Sequence, residues 1–321
     1  MKKWKLGILG ASNIAYHRFL PALQKSKQIS FAGIASRDPN HCIPFIEKFG
    51  GQCYPDYKSL LEDSEIDCVY VPLPPALHAV WGLQVLESGK HLFMEKPFTT
   101  SLEDTKRLLK IAESQNLVVH ENYMFLYHRQ LTAIKKMISD KKFGNIKIIR
   151  TAFTFPFRGE DDFRYHSNLG GGALFDCGGY PLLLASELLG NSVRLCWSGL
   201  YQDSQYGVDM AGSAVLQNEI GLTAHIFFGM DDTYRCELEI WGNKASIIAP
   251  RIFTAPPNLT PILQLKIGNK EHFIKIEEDD QFLNSIDFFI KLIEKPVLRL
   301  NRAKKILRQS ELIEMIRKEI Y

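Results

Sequence analysis

Long runs of lysine and arginine, C-x-x-C pairs and proline-free uncharged stretches of membrane-spanning length are all missing from this chain of 321 residues. Each absence excludes a class of protein. Lys+Arg 39 against Asp+Glu 36 leaves a net charge of only +3, with no basic stripe to neutralise a row of phosphates, so nucleic acid is not an expected partner. Six cysteines, at 42, 53, 68, 177, 196 and 236, lack the spacing of a zinc site and read as reduced core thiols; no metal is expected. The longest uncharged stretch, Cys68 to Leu86, contains Pro72, Pro74, Pro75 and His78 and cannot be one membrane helix. Met1-Lys2-Lys3-Trp4 leads into a strand without the apolar core of a signal peptide, so the expected location is the cytoplasm.

What is present is ordinary globular chemistry, 45% hydrophobic and 23% charged, in a chain too long for one hydrophobic core. Over the first 120 or so residues, short β-branched runs alternate with amphipathic segments. Leu6–Leu9, Phe31–Ala35, Asp67–Val71, His91–Met94 and Leu117–Val119 read as strands, with helices between them, one of which ends at Gly89. That alternation predicts a doubly wound parallel sheet over residues 1–122. From Gly144 the pattern becomes strand after strand: 146–156, 193–201, 212–216, 221–228, 235–241 and 264–267. These predict an antiparallel sheet, interrupted by one helix between Gly172 and Gly190, in a second domain over 123–300. Residues 301–321 carry an Asn N-cap at 301 and apolar side chains at helical spacing through Ile320, predicting a terminal helix that packs on a domain.

The first strand flows into Gly10-Ala11-Ser12-Asn13-Ile14-Ala15, where a dinucleotide fold places its glycine-rich phosphate turn. Ser12 and Ala15 replace the second and third glycines of G-x-G-x-x-G, but both are small, and the Ser12 hydroxyl can donate to phosphate. After the second strand comes Ser36-Arg37-Asp38. Ser36 stands where a carboxylate would select NAD, and Arg37 can pair with a 2′-phosphate, so NADP is the expected cofactor and NAD the alternative; Asp38 also suits a cap on the next helix. Glu95-Lys96-Pro97 follows the strand His91–Met94 and sets a lysine at the carboxyl edge of the sheet, although a surface lysine on a turn has the same spacing. Pro72, Leu73 and His78 after the strand Asp67–Val71 are expected to wall the cofactor.

Together, Gly10–Ala15, Glu95-Lys96-Pro97 and Gly170-Gly171-Gly172-Ala173-Leu174-Phe175-Asp176-Cys177-Gly178-Gly179-Tyr180 resemble the Gfo/Idh/MocA oxidoreductase family across nearly the whole chain. The resemblance implies a Rossmann domain followed by an α/β domain with a large open antiparallel sheet. It implies a homodimer or homotetramer formed through that sheet, and a C-terminal helix returning to the first domain. Many members end the glycine-rich segment in Asp-x-Gly-x-His, the histidine moving a proton; Tyr180 occupies that place here, as in sugar 3-ketoreductases, glucose–fructose oxidoreductase and dihydrodiol or xylose dehydrogenases. Asp176 and Tyr180, four apart, would share one helical face. Lys96, Asp176 and Tyr180 are therefore the candidate catalytic residues. Glu121-Asn122-Tyr123-Met124-Phe125-Leu126-Tyr127-His128-Arg129-Gln130 also resembles the ketoreductase and dihydrodiol dehydrogenase subgroup. It offers Asn122, with Glu95, on the nicotinamide side, and Tyr127 and His128 on the substrate side, His128 also reading as a structural histidine. Arg164 reads as a ligand for a substrate carboxylate or diphosphate, or as half of a structural ion pair.

The function these residues imply is NADP-dependent reduction of a keto group on a hexose, free or nucleotide-linked. Oxidation of an aldose or trans-dihydrodiol uses the same residues in reverse. A catalytically silent NAD(P)-binding regulator is the reading from another class.

Overall fold

The computed structural model describes residues 3–190 and 192–318. The chain divides into two compact units, one running up to Tyr123 and including Phe282–Ser310, the other comprising Met124–Gln281 and the chain from Glu311. In the first unit, β1 (Trp4–Leu9), β2 (Ile29–Ala35), β3 (Gln52–Tyr54), β4 (Cys68–Val71), β5 (His91–Met94) and β6 (Val119–Glu121) form a parallel sheet in the order β3-β2-β1-β4-β5-β6. The central strands are apolar on both faces because helices cover both sides: every residue of β4 is buried. The crossovers carry α1 (Leu20–Leu23, continuing a π-helical turn Ala15–Phe19), α2 (Ile43–Phe49), α3 (Tyr57–Glu62), α4 (His78–Glu87) and α5 (Leu102–Ser114). Strand order reverses between β1 and β4, which opens a crevice at their carboxyl ends, where this architecture binds ligands.

The second unit holds α6 (Arg129–Ser139), β7 (Ile146–Thr154), α7 (Gly179–Leu189), β8 (Arg194–Asp203), β9 (Val208–Gln217), β10 (Thr223–Gly229), β11 (Arg235–Gly242), β12 (Ala245–Ala249), β13 (Ile262–Ile267) and β14 (Lys270–Lys275). Its eight strands lie in the order β14-β13-β12-β11-β7-β10-β9-β8. One pair departs from the expected antiparallel pattern: β7 and β10 are parallel, because the chain leaves β7 through α7 before returning. The short strands β12 and β14 were not legible in the sequence, nor was α6. Alternation along the strands puts Leu238 and Ile240 inside and Trp197, Tyr201 and Phe227 on the outer face.

Two elements revise the expected domain limits. Helix α8 (Gln281–Glu294) buries Ile286, Phe289 and Ile290 completely and sets Phe289 edge-on to Phe93 of β5, centroids 5.1 Å apart. Residues 282–300, assigned by sequence to the second domain, thus lie in the first unit. Helix α9 (Arg299–Lys318) begins two residues before Asn301, which is therefore not its N-cap, and its residues up to Ser310 also group with the first unit. Ile320 lies outside the described residues. None of the six cysteines is in a disulfide, but Cys53 and Cys196 are exposed and not core thiols.

Candidate active site

The residues singled out after β1, β2, β4, β5 and β6 all stand at the carboxyl edge of the parallel sheet, on loops that the strand register holds side by side. Gly10 adopts φ +104°, and a Cβ on it would lie 2.6 Å from Cδ2 of Leu73. Only glycine allows the turn to take this conformation with Leu73 packed against it. The Ser12 hydroxyl accepts the Ala15 N–H at 3.2 Å, capping the helix start, while the Ala15 methyl is fully buried where a third glycine would stand. Asn13 is exposed and Ile14 half-buried. A small, positive-φ turn with a capped helix behind it fits a dinucleotide phosphate. Ser36 is nearly buried at the end of β2 and Arg37 is exposed beside it; Asp38 accepts the Asn40 N–H at 2.9 Å and caps the following turn, as read from the sequence.

The turn that carries Lys96 is fastened from three directions. Oε2 of Glu95 accepts the Lys96 N–H at 3.2 Å, Oε1 of Glu121 accepts the Phe98 N–H at 2.8 Å, and Nδ1 of His78 lies 2.7 Å from the Pro97 carbonyl, across a cis Lys96–Pro97 peptide. Glu95, Pro97 and Phe98 are buried, whereas Lys96 keeps part of its surface accessible. Burial raises the Glu95 carboxyl above the usual range against opposing hydrogen bonds from Asn122 (Nδ2, 2.7 Å) and Tyr70 (Oη, 2.7 Å). Burial likewise pushes Glu121 up to about 7, outweighing the nearby Arg302. His78 also meets the Leu73 carbonyl through Nε2 at 2.8 Å. Two carbonyl acceptors favour the charged ring, but burial is the stronger effect and lowers its pKa.

In the second unit the glycine-rich segment is packed so tightly that its sequence follows from its contacts. A Cβ on Gly171 would sit 2.4 Å from the Arg164 carbonyl oxygen; one on Gly172, which has φ +120°, would sit 2.3 Å from Oδ1 of Asp209. Asp209 accepts the Leu174 N–H at 2.6 Å, and burial raises its carboxyl to about 6. Residues Leu174–Gly178 form a π-helical turn leading into α7, so Asp176 and Tyr180 are not related by a simple α-helical step. Asp176 accepts from Nε of Arg164 at 2.6 Å, and Nη1 of Arg164 pairs with Asp162 at 3.0 Å. Burial alone would lower the Arg164 pKa, but the two carboxylates outweigh it and raise it. The Tyr180 ring is boxed by Phe125, Phe153 and Phe253, with centroids 5.8, 5.1 and 5.7 Å away, and its hydroxyl lies 3.8 Å from Sδ of Met124.

Several expected ligand contacts turn out to be internal. Asn122 is fully buried, with both ends of its amide hydrogen-bonded within the protein. His78, expected to wall the cofactor, is buried and ties the Leu73 and Pro97 loops together. His128 is buried at the N-terminus of α6, where Nδ1 accepts the Gln130 N–H at 3.1 Å, so it caps a helix. Arg164 is half of an ion pair, for it lies within reach of two carboxylates on its own segment. Pro72 and Tyr127 remain at the loop and turn where the sequence put them, Tyr127 half-buried at the end of the turn Met124–Tyr127. Sequence reasoning left Glu121, Asp209 and Ser285 without roles. Ser285 did carry a signal, being a polar residue on the apolar stripe of α8 between Phe282 and Phe289.

Comparison with known proteins agrees with this architecture. Residues 4–123 match the profile of the oxidoreductase family with an NAD-binding Rossmann fold, and residues 131–248 match the GFO/IDH/MocA C-terminal domain. A dTDP-3,4-didehydro-2,6-dideoxy-alpha-D-glucose 3-reductase from Streptomyces violaceoruber is 35% identical, over 98% of this chain and 94% of the relative. A D-xylose 1-dehydrogenase (NADP(+)) from Haloferax volcanii is 27% identical over 90% and 88%. The crystal structure of a 3-ketoreductase from Actinomadura kijaniata in complex with NADP and TDP-benzene superposes with a TM-score of 0.96 at 33% identity, covering 99% of this chain and 98% of that one. With two domain profiles matched in order and a phosphate turn, a Lys96 turn and a glycine-rich segment built as described, the chain belongs to the Gfo/Idh/MocA family of NAD(P)-dependent oxidoreductases.

Proposed function

We propose that this enzyme uses NADPH to reduce a ring keto group on a nucleotide-linked hexose. The observation that carries this reading is full-length similarity to TDP-sugar 3-reductases combined with the spacing of two residues. Lysine-to-alanine and tyrosine-to-phenylalanine variants of the Actinomadura kijaniata 3-ketoreductase have been crystallised with TDP-benzene and NADP, and the altered positions are separated by the same number of residues as Lys96 and Tyr180. The bound nicotinamide supplies the hydride. The Lys96 ammonium stabilises negative charge growing on the carbonyl oxygen, and Tyr180 delivers the proton to that oxygen. Asp176, ion-paired with Arg164, takes the role of acceptor for a sugar hydroxyl. Gly10, Ser12, Asn13 and Ile14 hold the cofactor phosphates, and Arg37 beside Ser36 favours NADP over NAD.

Steady-state rates with a TDP-linked 3-ketohexose, free aldoses and trans-diols, each with NADPH/NADP and NADH/NAD, test the reading. Turnover is expected with the ketosugar and NADPH. The xylose dehydrogenase similarity supports oxidation of an aldose as the second reading, which turnover with aldose and NADP alone would establish. Cofactor binding without turnover on any substrate would support the regulator. We place the enzyme in the cytoplasm, in line with six cysteines that form no disulfide; among the described residues no helix is long and apolar enough to cross a membrane. We also propose that two or four copies assemble through the outer face of the eight-stranded sheet, where Trp197, Tyr201 and Phe227 are 55%, 66% and 42% exposed. Sedimentation as a monomer at micromolar concentration would remove that assembly.

A further inference from the structure

We propose that Ser285 of α8 is a positioning residue for Lys96: its hydroxyl fixes the orientation of the Asn122 amide, and that amide holds the Glu95 carboxylate that anchors the Lys96 peptide. The inference rests on the proposed role of Lys96 and extends it to a helix about 190 residues further along the chain.

The polarity of the chain follows from counting protons. Oγ of Ser285 lies 2.9 Å from Oδ1 of Asn122 and 2.9 Å from Nε2 of His120. A hydroxyl has one proton to give; an amide oxygen can only accept, so the Ser285 proton goes to Asn122 and His120 must donate to Ser285. Burial, with Arg302 nearby, holds the His120 pKa well below its ordinary value, so the ring is neutral, and this contact places its single N–H on Nε2. With its oxygen occupied by Ser285, Asn122 presents Nδ2 to Oε1 of Glu95 at 2.7 Å. The reversed amide would set two acceptors against each other at that distance, away from water. Glu95 then collects donors from Asn122, Tyr70 and the Lys96 backbone.

Packing alone does not account for this residue. Ser285 is fully buried on a stripe with Phe282, Ile286 and Phe289, a position an alanine or larger apolar residue would fill without a hydroxyl to satisfy. His120 and Asn122 are fully buried as well, so these links are shielded from solvent. The groups that set the charge on Glu95 are Tyr70 from β4, Asn122 after β6 and the neighbouring Lys96; Glu121 is coupled to it as a second buried carboxyl.

The test compares Ser285→Ala, Ser285→Cys and Lys96→Met in the full-length enzyme, using NADPH and a TDP-linked 3-ketohexose. The measurements are kcat, KM for NADPH, the pH profile of kcat and the thermal midpoint. Losing one buried hydrogen bond is expected to lower kcat of Ser285→Ala on the order of tenfold, with KM for NADPH within about twofold. The acid limb of its pH profile should move to higher pH, because Glu95 loses an ordered donor and binds its proton more readily. Ser285→Cys, with a weak donor of nearly the same size, should recover part of both effects. A Ser285→Ala enzyme with a lowered midpoint but wild-type kcat and acid limb would overturn the proposal; if that variant fails to fold, the same result with Ser285→Cys would overturn it. Lys96→Met with undiminished turnover would overturn the reading of Lys96 itself. An inactive Lys96→Met beside a kinetically normal Ser285 variant would remove only the positioning role.

Discussion

The Lys96 turn and the glycine-rich segment before Tyr180 achieve rigidity in opposite ways. The first is fastened by side chains from distant parts of the chain: His78 from α4, Glu121 from β6 and, through Asn122, Ser285 from α8. The second relies more on close packing and on its own neighbourhood, with Arg164 and Asp162 a few residues upstream of Asp176 and Gly171 pressed against the Arg164 backbone. Its long-range contacts include Asp209, the Phe228 ring against Gly178 and the Gly229 carbonyl. The Lys96 turn is thus held by a buried polar network, whereas the glycine-rich segment with its ion pair is held by close packing.

The comparison can be broken at its functional ends first. Tyr180→Phe removes the proposed proton donor and is expected to depress turnover on the order of 10²-fold while NADPH binding, measured by fluorescence, stays nearly intact. Unchanged turnover would take Tyr180 out of the mechanism. Next in size is Arg164→Met, which leaves Asp176 and Asp162 without their shared cation in a largely buried place; a loss of about 3 kcal/mol of unfolding free energy is expected in urea titration. Little change would mean that close packing of the glycines suffices.

The two buried carboxyls sharpen the contrast by pH. Glu121 is raised to about 7 in the folded chain, so the fold binds an extra proton and its contribution to stability is full below the ordinary carboxyl range and lost as pH rises through 7. Glu121→Gln should flatten that decline, which amounts to about 3 kcal/mol. Asp209, raised to about 6, has the same sign and a window ending lower, so Asp209→Asn should flatten a slightly smaller decline between about pH 4 and 6. Urea unfolding at a series of pH values checks both; a decline that persists in either variant would locate its cause elsewhere.

The difference between the two regions also explains what could be read in the sequence. Gly170 to Tyr180 was legible because its constraints are local: a run of glycines marks a place where side chains do not fit, and Arg164 stands twelve residues before its partner. The parallel sheet was legible for a similar reason, since β4 and β5 are short apolar runs set between helices. The support of Lys96 was not, because hydrogen bonds joining His78, Glu121 and Ser285 to one turn depend on how β-α units are stacked. For the same reason the buried bonding of Asn122, expected beside the nicotinamide, was not legible, whereas the structural reading of His128 matches its place as a helix cap. The parallel pairing of β7 with β10 depends on where α7 returns the chain, which no local pattern records.

The central claim is that Lys96 and Tyr180 act on one oxygen of one substrate. A double-mutant cycle on kcat/KM for the ketosugar, with Lys96→Met, Tyr180→Phe and both together, tests it most directly. The account predicts strong coupling, with the double variant hardly slower than the slower single one; losses that simply multiply would show two groups acting independently and would contradict it.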